Sequence, residues 1–278
     1  MMKINYKHIT LLLIISAFTL NAQVINSGTH ELQRTLFISE VHGLTSIFIN
    51  PAGLASLTND DGILLGYSGN DKEKGEFIFS MSIGDIGAGY KESKIYEENI
   101  EYVVKEYAVA LAAGTKFISI GTTTKLIEYR TGDQKEQNYN FDAGINFQPL
   151  SFIGFSAIVR NLHIQDQLPD LLNRNFQVGT YIEPLGSMFR ILAEIVWKDA
   201  QEALKQGNLK TAVELKLANE FDIRFGTYNF NQPKKAYFIA MNVHLVEGMR
   251  FYSSVRFNEF NSTPNFLGSL IIPLETPR

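Results

Sequence analysis

The sequence predicts an all-β fold: an antiparallel transmembrane β-barrel of about 14 strands with an N-terminal plug (hatch) segment. Three observations predict it. From Gly62 onward, runs of roughly eight to a dozen residues alternate apolar and polar positions. The connections between those runs alternate short and long to the end of the chain. The apolar faces end in Phe, Tyr and Trp, as interfacial girdles do. A soluble sandwich has no physical reason to keep its long connections all on one side.

The first element is a signal peptide over residues 1–22. Lys3 and Lys7 form a positive start, Thr10 to Phe18 a short apolar core, and Ala22 a small residue for cleavage. The core is too short to span a bilayer. Its removal takes two lysines and no acid, so 25 basic residues fall to 23 against 29 acidic ones, a balance of −6. Scattered, mildly acidic charge makes nucleic acid an unexpected partner. The absence of cysteine excludes a lipoprotein anchor, disulfides and thiolate metal sites.

Residues 23–59 read as the plug, with a short helix around Glu31 to Phe37, and residues 60–278 as the barrel. Strands are expected at 62–69, 76–83, 86–93, 106–114, 117–129, 138–148, 151–161, 175–183, 188–198, 209–218, 221–230, 235–246, 249–258 and 265–273. Tight turns fall at Gly84-Asp85, Thr115-Lys116, Pro149-Leu150, Pro184 to Ser187, Asn219-Glu220 and Glu247-Gly248. The other set is longer and more polar: Asn70 to Gly75, Lys94 to Lys105, Arg130 to Gln137, Leu162 to Arg174, Asp199 to Asn208, Asn231 to Lys234 and Glu259 to Pro264. With the N-terminus periplasmic, the long set is extracellular. Single helical turns are expected at Pro169 to Asn173 and Ala200 to Gln206. Pro273 is awkward in a paired closing strand, so that strand is expected to stop at Ile272 or the closure to differ.

The strand faces predict where charge goes. Phe189, Ile191, Ala193, Ile195 and Trp197 oppose Arg190, Glu194 and Lys198. Tyr139, Phe141, Ala143, Ile145 and Phe147 oppose Asn140, Asp142 and Asn146. Around the turn at Asn219-Glu220, placing Leu217 and Phe221 toward lipid sets Lys216 opposite Asp222 and Glu214 opposite Arg224. A lumenal charge lattice follows: Arg190, Glu194, Glu214, Lys216, Asp222, Arg224, Arg250 and Arg256. Such a lattice argues against an apolar path through the barrel.

Just before the first strand stands Thr45-Ser46-Ile47-Phe48-Ile49-Asn50-Pro51-Ala52-Gly53-Leu54-Ala55. Asn50, Pro51, Ala52 and Gly53 suit a type I turn, with Asn first, Pro second and Gly fourth. The segment resembles the plug motif of FadL-like outer-membrane proteins, a superfamily that includes the PorV/PorQ family. The resemblance implies an N-terminal hatch ahead of a fourteen-stranded barrel in an outer membrane. It further implies a non-enzymatic role in which the barrel assists type IX protein secretion or surface attachment. Its partners are then outer-membrane lipid and secreted proteins or secretion-system components. The alternative it implies is passive transport, with a hydrophobic small molecule as ligand and Asn50 to Gly53 near the exit. Two departures stand out: the long extracellular insertions of fatty-acid transporters are missing, and the C-terminus lacks a terminal aromatic residue.

No cofactor, metal or catalytic site is expected. The five histidines (His8, His30, His42, His163 and His244) show no ligand spacing. Asn242, His244 and Ser254 form the one catalytic-looking group. A three-residue turn at Glu247 to Met249 sets Asn242 opposite Ser254 and His244 opposite Tyr252, facing the lumen rather than lipid. Gly114-Thr115-Lys116 lacks the first glycine of a phosphate loop and reads as a turn.

Overall fold

Fourteen strands close into one antiparallel ring, each paired with its neighbours in sequence and the last paired with the first. The computed structural model describes residues 35–55, 61–69, 75–97, 100–163, 174–198, 203–228, 235–245, 248–258 and 261–274. The predicted signal peptide, most of the helix predicted around Glu31 to Phe37, and the turn predicted at Pro169 to Asn173 lie outside the described residues. Among those residues no helix is long and apolar enough to cross a membrane.

The wall begins with β1 (Gly62–Gly69), β2 (Glu76–Ile83) and β3 (Ile86–Glu97). It continues through β4 (Ile100–Gly114), β5 (Ile118–Thr131), β6 (Gln134–Leu150), β7 (Ile153–Arg160) and β8 (Asn175–Ile182). A short strand, β9 (Pro184–Ser187), lies in the next turn and outside the ring. The ring resumes with β10 (Phe189–Lys198), β11 (Asn208–Ala218), β12 (Phe221–Tyr228), β13 (Ala236–His244), β14 (Arg250–Asn258) and β15 (Asn261–Pro273). One helical turn, Ala203–Gln206, precedes β11.

Alternation decides which way each residue faces. On β6, Tyr139 is 64 % exposed and Phe141 44 %, while Asn140 between them is fully buried. Ile118 and Ile120 are likewise exposed beside buried Ser119. An outer wall this rich in bare Phe, Ile, Leu and Tyr is unsuited to water and suited to acyl chains.

Three long connections differ from expectation, one of them Glu259 to Pro264, within which β15 already begins at Asn261. Lys94 to Lys105 and Arg130 to Gln137 are largely strand, because the β3–β4 and β5–β6 ladders run on beyond the apolar band. Opposite charges brace the extensions: Lys105 to Glu92 at 3.9 Å and Lys135 to Glu128 at 2.9 Å. The polarity that resembled loops is cross-strand pairing. Closure also differs from expectation. β15 continues to Pro273, which pairs with Gly62 on the last rung, where a missing N–H disrupts least.

The lumen is not uniformly polar, contrary to the alternation-based expectation. Most buried charge lies on β3–β7 and β10–β12, whereas β13, β15, β1 and β2 contribute Phe238, Leu267, Ile271, Leu64 and Ile78. Among the described residues, the buried polar groups of those four strands are serines: Ser68, Ser80, Ser82 and Ser269. An apolar stripe therefore runs along β15, β1 and β2, and buried Arg256 of β14 stands between it and Phe238.

Candidate functional site

Residues 35–55 lie within this lumen. Residues 35–55 contact strands on opposite sides of the ring, and most of their apolar side chains are buried. Phe37, Ile38, Leu44, Ile47, Phe48 and Ile49 share one hydrophobic core with Leu64, Ile78, Phe238 and Leu267 of the wall. Each such side chain contributes about 1.5–3 kcal/mol on burial. The backbone is a string of tight turns at Gly43–Thr45, Ser46–Ile49 and Pro51–Ala55. Asn50 between them is extended, as a residue before proline prefers.

Two kinds of attachment hold this inner segment. Residues 44–52 are bound to β2, β5, β6 and β7 by hydroxyl and amide groups and by the Arg160 guanidinium. Ser80 Oγ donates to Leu44 O at 3.1 Å, Thr123 Oγ1 to Ile47 O at 3.2 Å and Ser119 Oγ to Ala52 O at 2.8 Å. Arg160 donates to Phe48 O at 2.7 Å and to Ile49 O. The Asn50 amide donates to Ile38 O at 3.2 Å, and the amides of Asn50 and Asn146 meet at 2.6 Å. Wall glycines make room: Gly87 and Gly89 lie against Ile47 and Phe48, and Gly121 and Gly144 against Pro51 and Asn50.

Residues 35–40, in contrast, hang from charged side chains of β10–β12. Lys210 Nζ donates to Leu36 O at 2.7 Å and sits 4.3 Å from the Phe37 ring centre. Glu194 accepts from Ile38 N at 2.8 Å and pairs with Lys210 at 3.0 Å. Arg224 donates to Thr35 O at 3.1 Å and pairs with both Glu40 and Glu214. Arg190 reaches Glu183 at 2.5 Å, Glu214 at 3.1 Å and Glu40 at 3.9 Å. Burial raises the Glu40 carboxyl above the usual carboxylate range, while Arg224 and Arg190 pull it down. The two attachments meet at Gly43, whose φ of 58° lies in the left-handed region.

Beside the charged attachment lies a cavity of about 270 Å³ at the short-turn end. Leu36, Glu40 and Val41 face it from the inner segment, and Lys216, Arg250, Tyr252 and Ile271 from the wall. Ile271 is also the lower end of the apolar stripe. A second cavity of about 190 Å³ lies across His42, between Ser39 and the wall residues Ser119, Asn146 and Ser156.

The residues singled out from sequence fall as follows. Asn50, Pro51, Ala52 and Gly53 lie buried inside the ring. Glu214 stands opposite Arg224 and Lys216 opposite Asp222, the register that the hairpin charges predict. Arg190 and Glu194 join ion pairs with Glu214 and Lys210. Arg250 lies opposite His244 and lines the larger cavity, whereas Arg256 is buried higher up, opposite Phe238. The Asn242–His244–Ser254 group is not assembled. Asn242 is opposite Tyr252, and buried Ser254 is opposite Ala240, so the turn shifts the expected register by two residues. Asn242 and His244 are 3.3 Å apart, and Asn242 also donates to Asp222 at 3.3 Å.

Sequence reasoning missed Glu40, Lys210 and the upper ion cluster. There Lys125 meets Asp142 at 2.7 Å and Asn161 at 2.8 Å, while Arg160 lies 3.8 Å from Asp142. Lys125 and Asp142 occupy inward positions on adjacent strands, a signal present in the alternation. Glu40 lies in a segment with no period, and nothing local marks it.

A closed ring with an apolar outer wall, and charge buried within, is the architecture of a membrane-spanning β-barrel. No protein-family model and no curated protein matches the sequence. Among solved structures, the chain is similar to the Ralstonia pickettii toluene transporter TbuX, with a TM-score of 0.66 and 11% identity over 91% of this chain and 100% of that one. It is similar to a ΔS2 mutant of the monoaromatic hydrocarbon channel TodX, with a TM-score of 0.62 and 10% identity over 91% and 100%. A Pseudomonas aeruginosa FadL homologue gives 0.54 and 9% over 91% and 98%. The likeness is one of fold, that of the FadL-like barrels which the Asn50–Gly53 motif resembles.

Proposed function

We propose that this chain is a passive route for small hydrophobic molecules across an outer membrane. The observation that carries the reading is the apolar stripe of the lumen. Leu267, Ile271, Leu64 and Ile78, on the adjacent strands β15, β1 and β2, form a sector whose strands carry no buried charge among the described residues, and it ends at the larger cavity. A hydrocarbon passing along β15, β1 and β2 meets apolar side chains and serines, whereas each of β3–β7 carries a buried ion. The fold likeness to a toluene transporter and a monoaromatic hydrocarbon channel supports an aromatic hydrocarbon as the first ligand to try. The charge lattice is compatible with this reading because most of it lies on β10–β12, and only its β14 members, Arg250 and Arg256, border the stripe.

The test is uptake of labelled toluene by cells carrying the chain in an otherwise poorly permeable outer membrane. Faster uptake than in cells without it, reduced by Leu64→Arg in the apolar stripe, is the expected result. Equal uptake with and without the chain overturns the reading. A role in protein secretion, of PorV/PorQ type, keeps one supporting observation: the described lumen is filled by the inner segment. Co-purification of exported proteins from detergent extracts would favour it instead.

A further inference from the structure

The two hairpins that outgrow the rest of the wall, β3–β4 and β5–β6, carry charge on their outer side in an order that follows depth. Tyr90, Tyr107, Leu126 and Tyr139 form one rung across these four strands. It is the upper edge of the apolar band, where aromatic residues meet headgroups. Side chains two positions further along each strand face the same way. The next outer rung is therefore Glu92, Lys105, Glu128 and Gln137, and the one beyond it Lys94, Val103, Arg130 and Lys135. The acids of the lower rung are already satisfied. Glu92 pairs with Lys105 and accepts from the Tyr90 hydroxyl, while Glu128 is held by Lys135 at 2.9 Å and by the Gln137 amide at 3.2 Å. The upper rung holds three cations and no acid; the turn beyond it adds one exposed acid, Asp133. Arg130 and Lys135 are both exposed and stand directly opposite each other, an arrangement that repels. Arg130 uses Nε on Gly132 O at 2.9 Å, and its two terminal nitrogens have no partner among the described residues.

We infer that the Arg130–Lys135 rung binds the phosphate groups of an outer-leaflet glycolipid. Depth selects this ligand. A strand rises about 3.3 Å per residue and tilts by about 40°, so Lys135, four residues from Tyr139, stands roughly 10 Å above it. The headgroup layer of a typical bilayer is only about 5–7 Å thick on each side. An ordinary phospholipid therefore reaches the Lys105 rung, where charge is already paired. Phosphates carried on a sugar headgroup reach the Arg130 rung while the acyl chains of the same lipid lie on exposed Phe141 and Val109. The Arg130 guanidinium suits a phosphate through two parallel hydrogen bonds. An anion between Arg130 and Lys135 also relieves their repulsion, and Lys94 adds charge from two strand spacings away, about 10 Å. The short-turn end differs: Ile83, Ile86, Phe117 and Leu150 are exposed there, and Lys116 lies over the Phe117 ring. Binding at the rung involves the outer face alone and does not depend on traffic through the lumen.

The chain, folded in detergent micelles, is titrated calorimetrically with purified lipopolysaccharide, with the same lipid after removal of its phosphates, and with phosphatidylglycerol. Heat-modifiable mobility verifies that each variant is folded. Arg130→Gln/Lys135→Gln is expected to bind intact lipopolysaccharide about tenfold more weakly or worse, because each hydrogen bond to a charged group contributes about that factor. Lys116→Gln, at the other end of the wall, is expected to bind like the unsubstituted chain. Removal of the phosphates is expected to lower the unsubstituted chain to the level of the double variant. Glu128→Gln releases Lys135 and is expected to tighten binding, which a salt bridge of purely structural value would not do. Equal affinity of the double variant and the unsubstituted chain for lipopolysaccharide overturns the proposal. So does equal affinity of the unsubstituted chain for phosphatidylglycerol, which means that any anionic surface suffices. Complete displacement by millimolar inorganic phosphate overturns the lipid as the source of the phosphate. If the double variant fails to assemble, Arg130→Gln alone is judged by the same outcomes.

Discussion

Gly121 and Gly144 stand directly opposite each other on β5 and β6, and the space their side chains would fill is taken by Pro51 and Asn50 of the inner segment. The two obstacles differ. A methyl on Gly121 would meet the backbone of Pro51 and Ala52, which cannot turn aside. A methyl on Gly144 would meet the Asn50 side-chain oxygen. Gly121→Ala is therefore expected to destabilise the folded barrel by about 1–3 kcal/mol, the usual range for overpacking. Gly144→Ala should cost less, because a side-chain amide rotates. Urea titration in detergent micelles, followed by heat-modifiable mobility, gives the order; an equal or reversed order would mean that the segment is not wedged as described.

Asn50 supplies both a donor and an acceptor inside the ring. Its amide donates to Ile38 O and its oxygen accepts from Ala52 N at 3.3 Å. Asn50→Ala leaves Ile38 O and the Asn146 amide short of a partner, at about 1–3 kcal/mol. Asn50→Asp keeps the acceptor, loses the donor and adds a buried charge, so it should be the worse variant. The same urea titration ranks them.

The wall was legible in the sequence because alternation with period two is a local property. It located β1 and β2 to the residue and the other barrel strands within a few residues, except where β3 to β6 extend through Lys94 to Lys105 and Arg130 to Gln137. The Lys216 and Asp222 pairing followed from one turn and one lipid-facing assumption. The contents of the ring were less legible. Inward apolar residues such as Leu64 and Phe238 break no pattern that a single strand displays, since they make sense only against Leu44 and Phe37. Gly87 and Gly89 are poor residues for the interior of a strand, yet in β3 they are the floor on which Ile47 and Phe48 rest. Residues that look wrong for a strand were the imprint of the segment packed behind it.

Arg224 bridges two carboxylates, Glu40 and Glu214, and is almost wholly buried. Arg224→Met leaves both acids sharing Arg190 as their remaining counter-ion, at about 3–5 kcal/mol for the broken buried pairs. Adding Glu40→Gln to that variant removes one of the stranded charges, so the double variant should recover part of the loss. A double-mutant cycle on urea midpoints measures the coupling. Purely additive effects would mean that Glu40 and Arg224 do not interact.

Ile145 faces outward from the middle of the membrane-facing part of β6, between Ile120 and Ala157 of its neighbours, while Leu150 sits at the short-turn end of the same strand. Both are exposed in the isolated chain, and on a protein surrounded by water both arginine substitutions would change stability by only about 0.5 kcal/mol or less. Lipid separates them. Ile145→Arg places a cation near the midplane, at about 2–4 kcal/mol, whereas Leu150→Arg lies near an interface, at about 0–1 kcal/mol. The measurement is reversible folding into liposomes in urea. A depth-dependent gap between the two variants is the signature of an outer wall that meets acyl chains. Two equally mild variants would instead place that wall in water, and the assignment of inside and outside would have to be inverted.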